Sequence, residues 1–505
     1  MTLAVPYPVR KEFSALWVPW LACLAVMAGC ALEGGMWSRL VMPIYFLGAM
    51  ALGALSMGHE YSHRTLTLLL SQPVRRGRVF AQKQGVLAAL LLTLFIAAIF
   101  VMSYATGRPV TGHSSQRTAA LVLPVAYGLL LAPCLTMLCR SAIAGTVFSL
   151  AIPGLLFTAG ELVAATKYGG HSQAEHFSMS VLWGGTLGLC AVGGVLGWRT
   201  FMRLEATEGR DSELRMPQWL QRAPTVSASP GLTRHHPVWL LVKKELRLQQ
   251  MTLAISGLYV AGWAGVGAMR YLNPHLRLDF FNVLIVFYSG LIALLIGSLA
   301  CADERQMRTL ECQVLLPMAT WKQWIVKVAV VLGLSMILAL GLPQLLTGGM
   351  SWLPSDVQHG PLAWALRALP VVVLTIGSLY VSSLCTSGLW ALLMSLPAML
   401  GTVLFVRALA ERSQWAIVLS SPPTVSVLGY GLIKPSTIVA LGLLLTIGLL
   451  AIVLRFGFAN YRSADRAPGR VAWQVSWIAA YLAVGQALLS LAVALHMASL
   501  AAGRL

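Results

Sequence analysis

A helix needs about twenty consecutive apolar residues to cross the hydrocarbon core of a bilayer, and this chain reaches that length roughly a dozen times. In its first half the apolar runs cover residues 16–32, 41–57, 86–104, 119–138, 142–165 and 179–198. In its second half they cover 251–269, 280–300, 328–346, 363–384, 389–406 and 438–454. A further run, 472–502, forms either a thirteenth span or an interfacial helix. Only 10% of the 505 residues are charged, against about 25% in a soluble domain. That is too little polar material to coat a water-facing surface. The chain therefore reads as an all-α polytopic membrane protein. A single soluble enzyme, a disordered chain and a secreted disulfide scaffold are excluded.

The formal net charge is +19. In a soluble protein that excess would point to nucleic acid; in a membrane protein it marks the loops held on the cytoplasmic side. With the N-terminus inside, 25 of the 36 Lys and Arg fall on that side, many of them in one linker. This predicts a multi-pass protein of the inner (cytoplasmic) membrane with no nucleic-acid partner. Arg10, Lys11 and Glu12 precede a first run long enough to remain as an anchor, so no cleaved signal is expected. The eight cysteines lie in apolar runs or at proposed cytoplasmic ends, where disulfides are not expected.

A polar stretch of linker composition, with Pro217, Pro224, Pro230 and Pro237, divides the chain almost in half. The expected units are a first six-span half over 1–200, a linker over 201–237, a second six-span half over 238–457, and a C-terminal segment over 458–505. The halves are related in sequence. Glu60, Arg64, Thr65, Leu66, Pro73 and Lys83 recur as Glu304, Arg308, Thr309, Leu310, Pro317 and Lys327, all displaced by 244 without a gap. Pro124 recurs as Pro370, and Lys11-Glu12 as Lys244-Glu245. An even number of spans per half allows a parallel repeat about an axis along the membrane normal. This predicts two pseudo-symmetric six-helix bundles facing each other across a central seam.

The most polar repeated piece follows the second run. Leu66, Leu69, Leu70 and Pro73 have three/four spacing, which predicts a short helix with one apolar face, ended by Pro73 and followed by Arg75, Arg76 and Arg78. This loop resembles the signature of type 2 ABC-transporter permeases, and especially the branch labelled multi-copper enzyme maturation permeases. The chain resembles two such permease units fused. The resemblance implies that the loop is a coupling helix that contacts a cytoplasmic ATPase. Glu60, Arg64, Thr65, Leu66, Pro73, Arg75 and Arg76 would form the first coupling element, and Glu304, Arg308, Thr309, Leu310 and Pro317 the second. It also implies an amphipathic helix leading into each half, at 8–15 and 238–250. The second copy departs from the pattern, with Leu315-Leu316 in place of Ser71-Gln72 and Ala319-Thr320 in place of Arg75-Arg76.

The chain contains no GxxxxGK[ST] phosphate loop. ATP and Mg would therefore be bound by separate ABC ATPase subunits, two copies or a heterodimer, and this chain would catalyse nothing. The implied function is the permease subunit of an ATP-driven exporter. A second possibility is an ATPase-driven membrane subunit that performs mechanical work without transport.

Two features compete with this reading. His59, Glu60 and His63 form a literal HExxH, which on a helix places two imidazoles on one face beside a glutamate and would make a zinc-dependent membrane protease. The repeat, however, has Asp303 and Met307 at the histidine positions while keeping Glu304 and Arg308. The second feature is Glu161, an acid within an apolar run, which is a functional candidate at membrane depth. Alternatively the run breaks near Gly160 and Glu161 reaches the outer interface. The resemblance implies that the chain re-enters from outside after the fifth span, and residues 411–434, with Glu411 and Arg412, would be the matching re-entrant region of the second half.

Overall fold

The computed structural model describes residues 7–33, 40–62, 65, 74–106, 115–167, 171–203, 237–272, 279–306, 318–348, 361–420, 435–463 and 468–502. The chain is almost entirely helical, with no strand among the described residues. Helices α1 (Tyr7–Glu33), α2 (Val41–Ser62) and α3 (Arg76–Thr106) are followed by α4 (Ser115–Ala126), a π-helical stretch (Tyr127–Leu131) and α5 (Ala132–Cys139). Helices α6 (Ala142–Lys167) and α7 (His171–Met202) complete the part before the linker. After it come α8 (Pro237–Leu248), α9 (Gln250–Leu272), α10 (Asp279–Gln306), α11 (Thr320–Ser335), a second π-helical stretch (Met336–Gly341) and α12 (Leu342–Gly348). The chain ends with α13 (Pro361–Leu384), α14 (Gly388–Ser420), α15 (Pro435–Arg462) and α16 (Pro468–Ala502).

Among the described residues, twelve helices are long and apolar enough to cross a membrane, so the protein is a multi-pass membrane protein. The C-terminal run is one of them, with an apolar stretch over Gly469–Ala494. That is the length of a span rather than of a short surface helix.

Three expectations from the sequence change. The run at 142–165 does not break near Gly160, because α6 continues through Gly160 and Glu161 to Lys167. Likewise α14 continues through Glu411 and Arg412 to Ser420, so the first ten residues of the expected re-entrant region extend a helix. The prolines of these helices, Pro153 and Pro397, lie well before the expected breaks. The leading helix expected at 8–15 is also not separate, since α1 runs unbroken from Tyr7 to Glu33. In the second half the leading helix is separate, as α8. The break falls at Gln249, fully buried, whose amide donates to the Ile296 carbonyl at 3.0 Å. The position matching Gln249 in the first half is Leu16, which packs in the core. An apolar side chain there makes no such bond, and α1 continues through Leu16 and Pro19.

Close helix crossings require glycine at two matched positions. A Cβ at Gly53 of α2 would lie 2.0 Å from the Gly128 carbonyl in the first π-helical stretch. A Cβ at Gly297 of α10 would lie 2.4 Å from the Thr375 carbonyl of α13. In both places a second span crosses a fourth span backbone to backbone.

The two parts of the chain meet through α1, which packs on α14, and through α6, which packs on α9 and α14. The meeting surface is apolar. Leu16, Met27 and Leu52 belong to one continuous core with Leu295, Leu392 and Leu400. Along it lies a cavity of only about 10 Å³, lined by Leu47, Ile143, Leu295 and Leu392 among others.

The C-terminal helix changes how the last spans pack. In the first part α6, whose apolar stretch Ala142–Leu156 is shorter than the twelve spans, and α7 pack extensively on each other. In the second part α14 and α15 scarcely touch, and each packs on α16 instead. A polar joint holds α16 in place. The Asn460 and Gln474 amides exchange hydrogen bonds at 2.9 and 3.1 Å, and Tyr380 donates to Gln474 at 3.0 Å.

Candidate functional site

A carboxylate near the C-terminal end of a helix opposes the helix dipole and is costly when buried. Glu60 is two residues from the end of α2 and Glu304 two residues from the end of α10, and both are fully buried. Each is compensated by lysines from two other helices.

In the first site Lys83, from the second turn of α3, holds Glu12 of α1 through both oxygens at 2.8 Å. It also donates to Glu60 at 3.1 Å and lies 3.4 Å from the Ser56 carbonyl. Lys11, next to Glu12 on α1, reaches the same Glu60 oxygen at 3.2 Å. The other Glu60 oxygen accepts the Thr65 hydroxyl, while the Thr65 amide donates to the Glu60 carbonyl at 3.0 Å. The result is a neutral square of two lysines and two glutamates that binds α1, α2 and α3 together.

The second site repeats the first. Lys327 of α11 holds Glu245 of α8 at 2.9 and 2.8 Å, pairs with Glu304 at 3.0 Å, and donates to the Ala300 carbonyl at 2.8 Å. Lys244 reaches Glu304 at 2.5 Å. Ala300 stands 244 residues after Ser56, so even the backbone acceptor is repeated. Glu245 precedes its span. Burial pushes its carboxyl above the ordinary range and outweighs the opposing pull of Lys327. Bidentate, charge-assisted bonds of this kind fix geometry as well as charge.

An aromatic contact accompanies each square. Phe80, one turn before Lys83, packs on Trp198 and Phe201 of α7 at 5.3 and 5.2 Å. Trp324, again 244 residues on, packs on Phe458 and Tyr461 of α15 at 6.3 and 5.4 Å. Each third span is thereby tied to its sixth at the level of the ions.

Of the residues expected to carry coupling, the structure brings Glu60 and Thr65 into the first square and Glu304 into the second. Arg75 and Arg76 are exposed, and Arg76 donates to the Met202 carbonyl at 2.7 Å. Arg64, Leu66, Pro73, Arg308, Thr309, Leu310 and Pro317 lie outside the described residues. Glu161 and Glu411 lie on α6 and α14, apart in sequence from both squares. His59 is half-buried on α2, and His63 is outside the described residues. Among the described residues no three His, Cys, Asp or Glu side chains are placed to hold a metal ion.

The sequence reading named Glu60 and Glu304 as site residues but not their partners Lys11, Glu12, Lys83, Lys244, Glu245 and Lys327. The signal was present. These are charged residues recurring at matched positions in a chain with few charges, where an ionisable group near a span calls for a partner.

No family model, curated protein or solved structure matches this chain.

Proposed function

We propose that the chain is the membrane permease subunit of an ATP-driven ABC exporter, built from two fused six-helix units of the same orientation and partnered by cytoplasmic ABC ATPase subunits. The observation that carries this reading is the paired ion square. Each square joins three elements, namely the helix entering the first span, the end of the second span, and the start of the third. Each lies directly before the loop that resembles a coupling helix. A push on that loop would reach Glu60 or Glu304 first and pass through the shared lysine to two further helices, so the three would move as one body. The matched contacts of first spans with opposite fifth spans, α1 on α14 and α9 on α6, support a pseudo-two-fold arrangement. ATP-driven rocking of the two units would open and close the apolar seam between them. The loops would face the cytoplasm, with the N-terminus inside.

The cavity of about 10 Å³ on the seam, with room for no more than a water molecule, favours a second reading. In it the ATPase moves the helices to do mechanical work on an envelope partner, and nothing passes between the halves. A protease role finds less support. Glu60 is engaged by Lys11, Lys83 and Thr65 and is not free to act as a general base.

The test is co-purification of the full chain with the ABC ATPase encoded beside its gene. A stable complex whose ATP turnover responds to Glu60→Gln and Glu304→Gln supports the proposal; no complex sinks it. Export of a substrate into proteoliposomes separates the first reading from the second.

A further inference from the structure

The two parts of the chain differ sharply on one outer face. Between α3, the first π-helical stretch with α5, and α7 lies a groove of about 300 Å³, lined by Phe80, Gln84, Gly85, Leu130, Cys134 and Gly194 among others. The ring contacts of Phe80 with Trp198 and Phe201 close its floor, together with the bond from Arg76 to Met202. Its side opens between the exposed apolar stripes of α3 (Leu92, Ile96, Phe100) and α7 (Val192, Val195, Leu196). In a bilayer those stripes face acyl chains, so the groove is open to lipid tails.

Below the floor the surface becomes strongly basic. Arg78 on α3, Arg140 just after α5, and Arg199 and Arg203 at the end of α7 are all exposed. Neither α3 nor α5 contains an Asp or Glu, and Glu175 of α7 is at the opposite end of that helix. Gln84 lines the groove one turn above Phe80, and its Oε1 is buried without a hydrogen-bond partner. It lies six residues, about 9 Å along the helix, above Arg78. Turned over, its amide would present a donor at that level.

The second part of the chain lacks this pattern at the matching positions. Val328 stands for Gln84, Leu332 for Ala88, Trp321 for Gly77, and Ala319-Thr320 for Arg75-Arg76, with Lys322 alone keeping a charge. The matched positions on α11 are bulkier and carry a single charge, while on α15 Arg462 lies over the Phe458 ring at 5.6 Å.

We propose that the groove of the first half binds one tail of an anionic phospholipid, with Gln84 donating to an ester carbonyl and Arg78 and Arg199 holding the phosphate. The inference rests on membrane embedding alone. It stands or falls separately from any ATPase partner.

The full-length protein, purified in detergent, would be titrated with phosphatidylglycerol and with phosphatidylcholine, with bound lipid counted by native mass spectrometry and thermal unfolding followed. Gly85→Leu is the informative variant. A Cβ at Gly85 meets nothing within 4 Å, so leucine fills the groove without a clash, and it favours the helix. The expected result is retention of phosphatidylglycerol over phosphatidylcholine by about tenfold. Gly85→Leu would abolish that retention without lowering the melting temperature of the lipid-free protein. Arg78→Gln with Arg199→Gln would remove the headgroup preference alone. Equal retention of both lipids by the wild type would overturn the proposal, as would full phosphatidylglycerol retention by Gly85→Leu. So would arginine variants that keep the lipid preference but lose binding to a soluble protein, since the arginines would then belong to a protein interface.

Discussion

The two ion squares use the same residues at the same spacings but differ in depth. In the first, the Glu12 side chain is 11% exposed and Lys83 2%. In the second, Glu245 is 4% exposed, and Lys327 and Glu304 are fully buried. The leading helix differs as well, running straight into its span in α1 but breaking at Gln249 between α8 and α9. Both squares nevertheless keep two lysines, two glutamates and a backbone carbonyl acceptor. The difference teaches that the square tolerates changes in the helices around it, provided that it stays neutral and each carboxylate keeps a lysine. Depth then sets the cost of breaking it.

That comparison can be broken or sharpened by substitution, beginning with the largest effect. Lys327→Met takes the shared cation from Glu245 and Glu304 at once and should cost about 3–5 kcal/mol. Lys83→Met, in the shallower square, should cost less. Thermal unfolding in detergent measures both, and an equal or reversed order would show that burial does not set the cost. Gly53→Val and Gly297→Val each force a side chain into an opposing backbone and should cost about 1–3 kcal/mol or more. Gly53→Val should cost more, because its 2.0 Å obstacle is a backbone carbonyl, whereas at Gly297 the 2.0 Å contact is the rotatable Ser378 hydroxyl and the nearest backbone carbonyl is at 2.4 Å. Replacing either Asn460 or Gln474 by Leu should cost about 1–3 kcal/mol by stranding a buried amide, and replacing both should recover part of it. A double-mutant cycle checks that recovery. Thr65→Ala should have the smallest effect, at about 1 kcal/mol, from loss of one hydrogen bond to Glu60.

Much of this was legible in the sequence, for identifiable reasons. The spans follow from apolar length alone, and the repeat follows from polar residues at a constant offset. Glu60 and Glu304 stood out because a recurring acid at a span's end has few structural excuses. Their lysine partners were visible as repeats but were not recognised as partners. Lys83 lies 23 residues from Glu60, and only the packing of α3 against α2 and α1 brings them together. The break at Gln249 agrees with the leading helix that the resemblance implied over 238–250, but the bond that marks it was hidden because it depends on a carbonyl 47 residues away. The insertion of α16 between α14 and α15 was hidden because three apolar helices can pack in any order. What fixes the order is the joint of Asn460, Gln474 and Tyr380, which are dispersed in the sequence. The expected breaks near Gly160 and in 411–420 came from the family resemblance; α6 continues despite the weak helix former Gly160, and residues 411–420 contain no Gly or Pro.

The most direct test of the account is the ATP turnover of the purified permease–ATPase complex carrying Glu60→Gln and Glu304→Gln together. If the two squares transmit movement between the coupling loops and the spans, the complex still assembles and its turnover falls by about tenfold, with each single variant falling less. An assembled complex whose turnover is unchanged by the double substitution would contradict the claim.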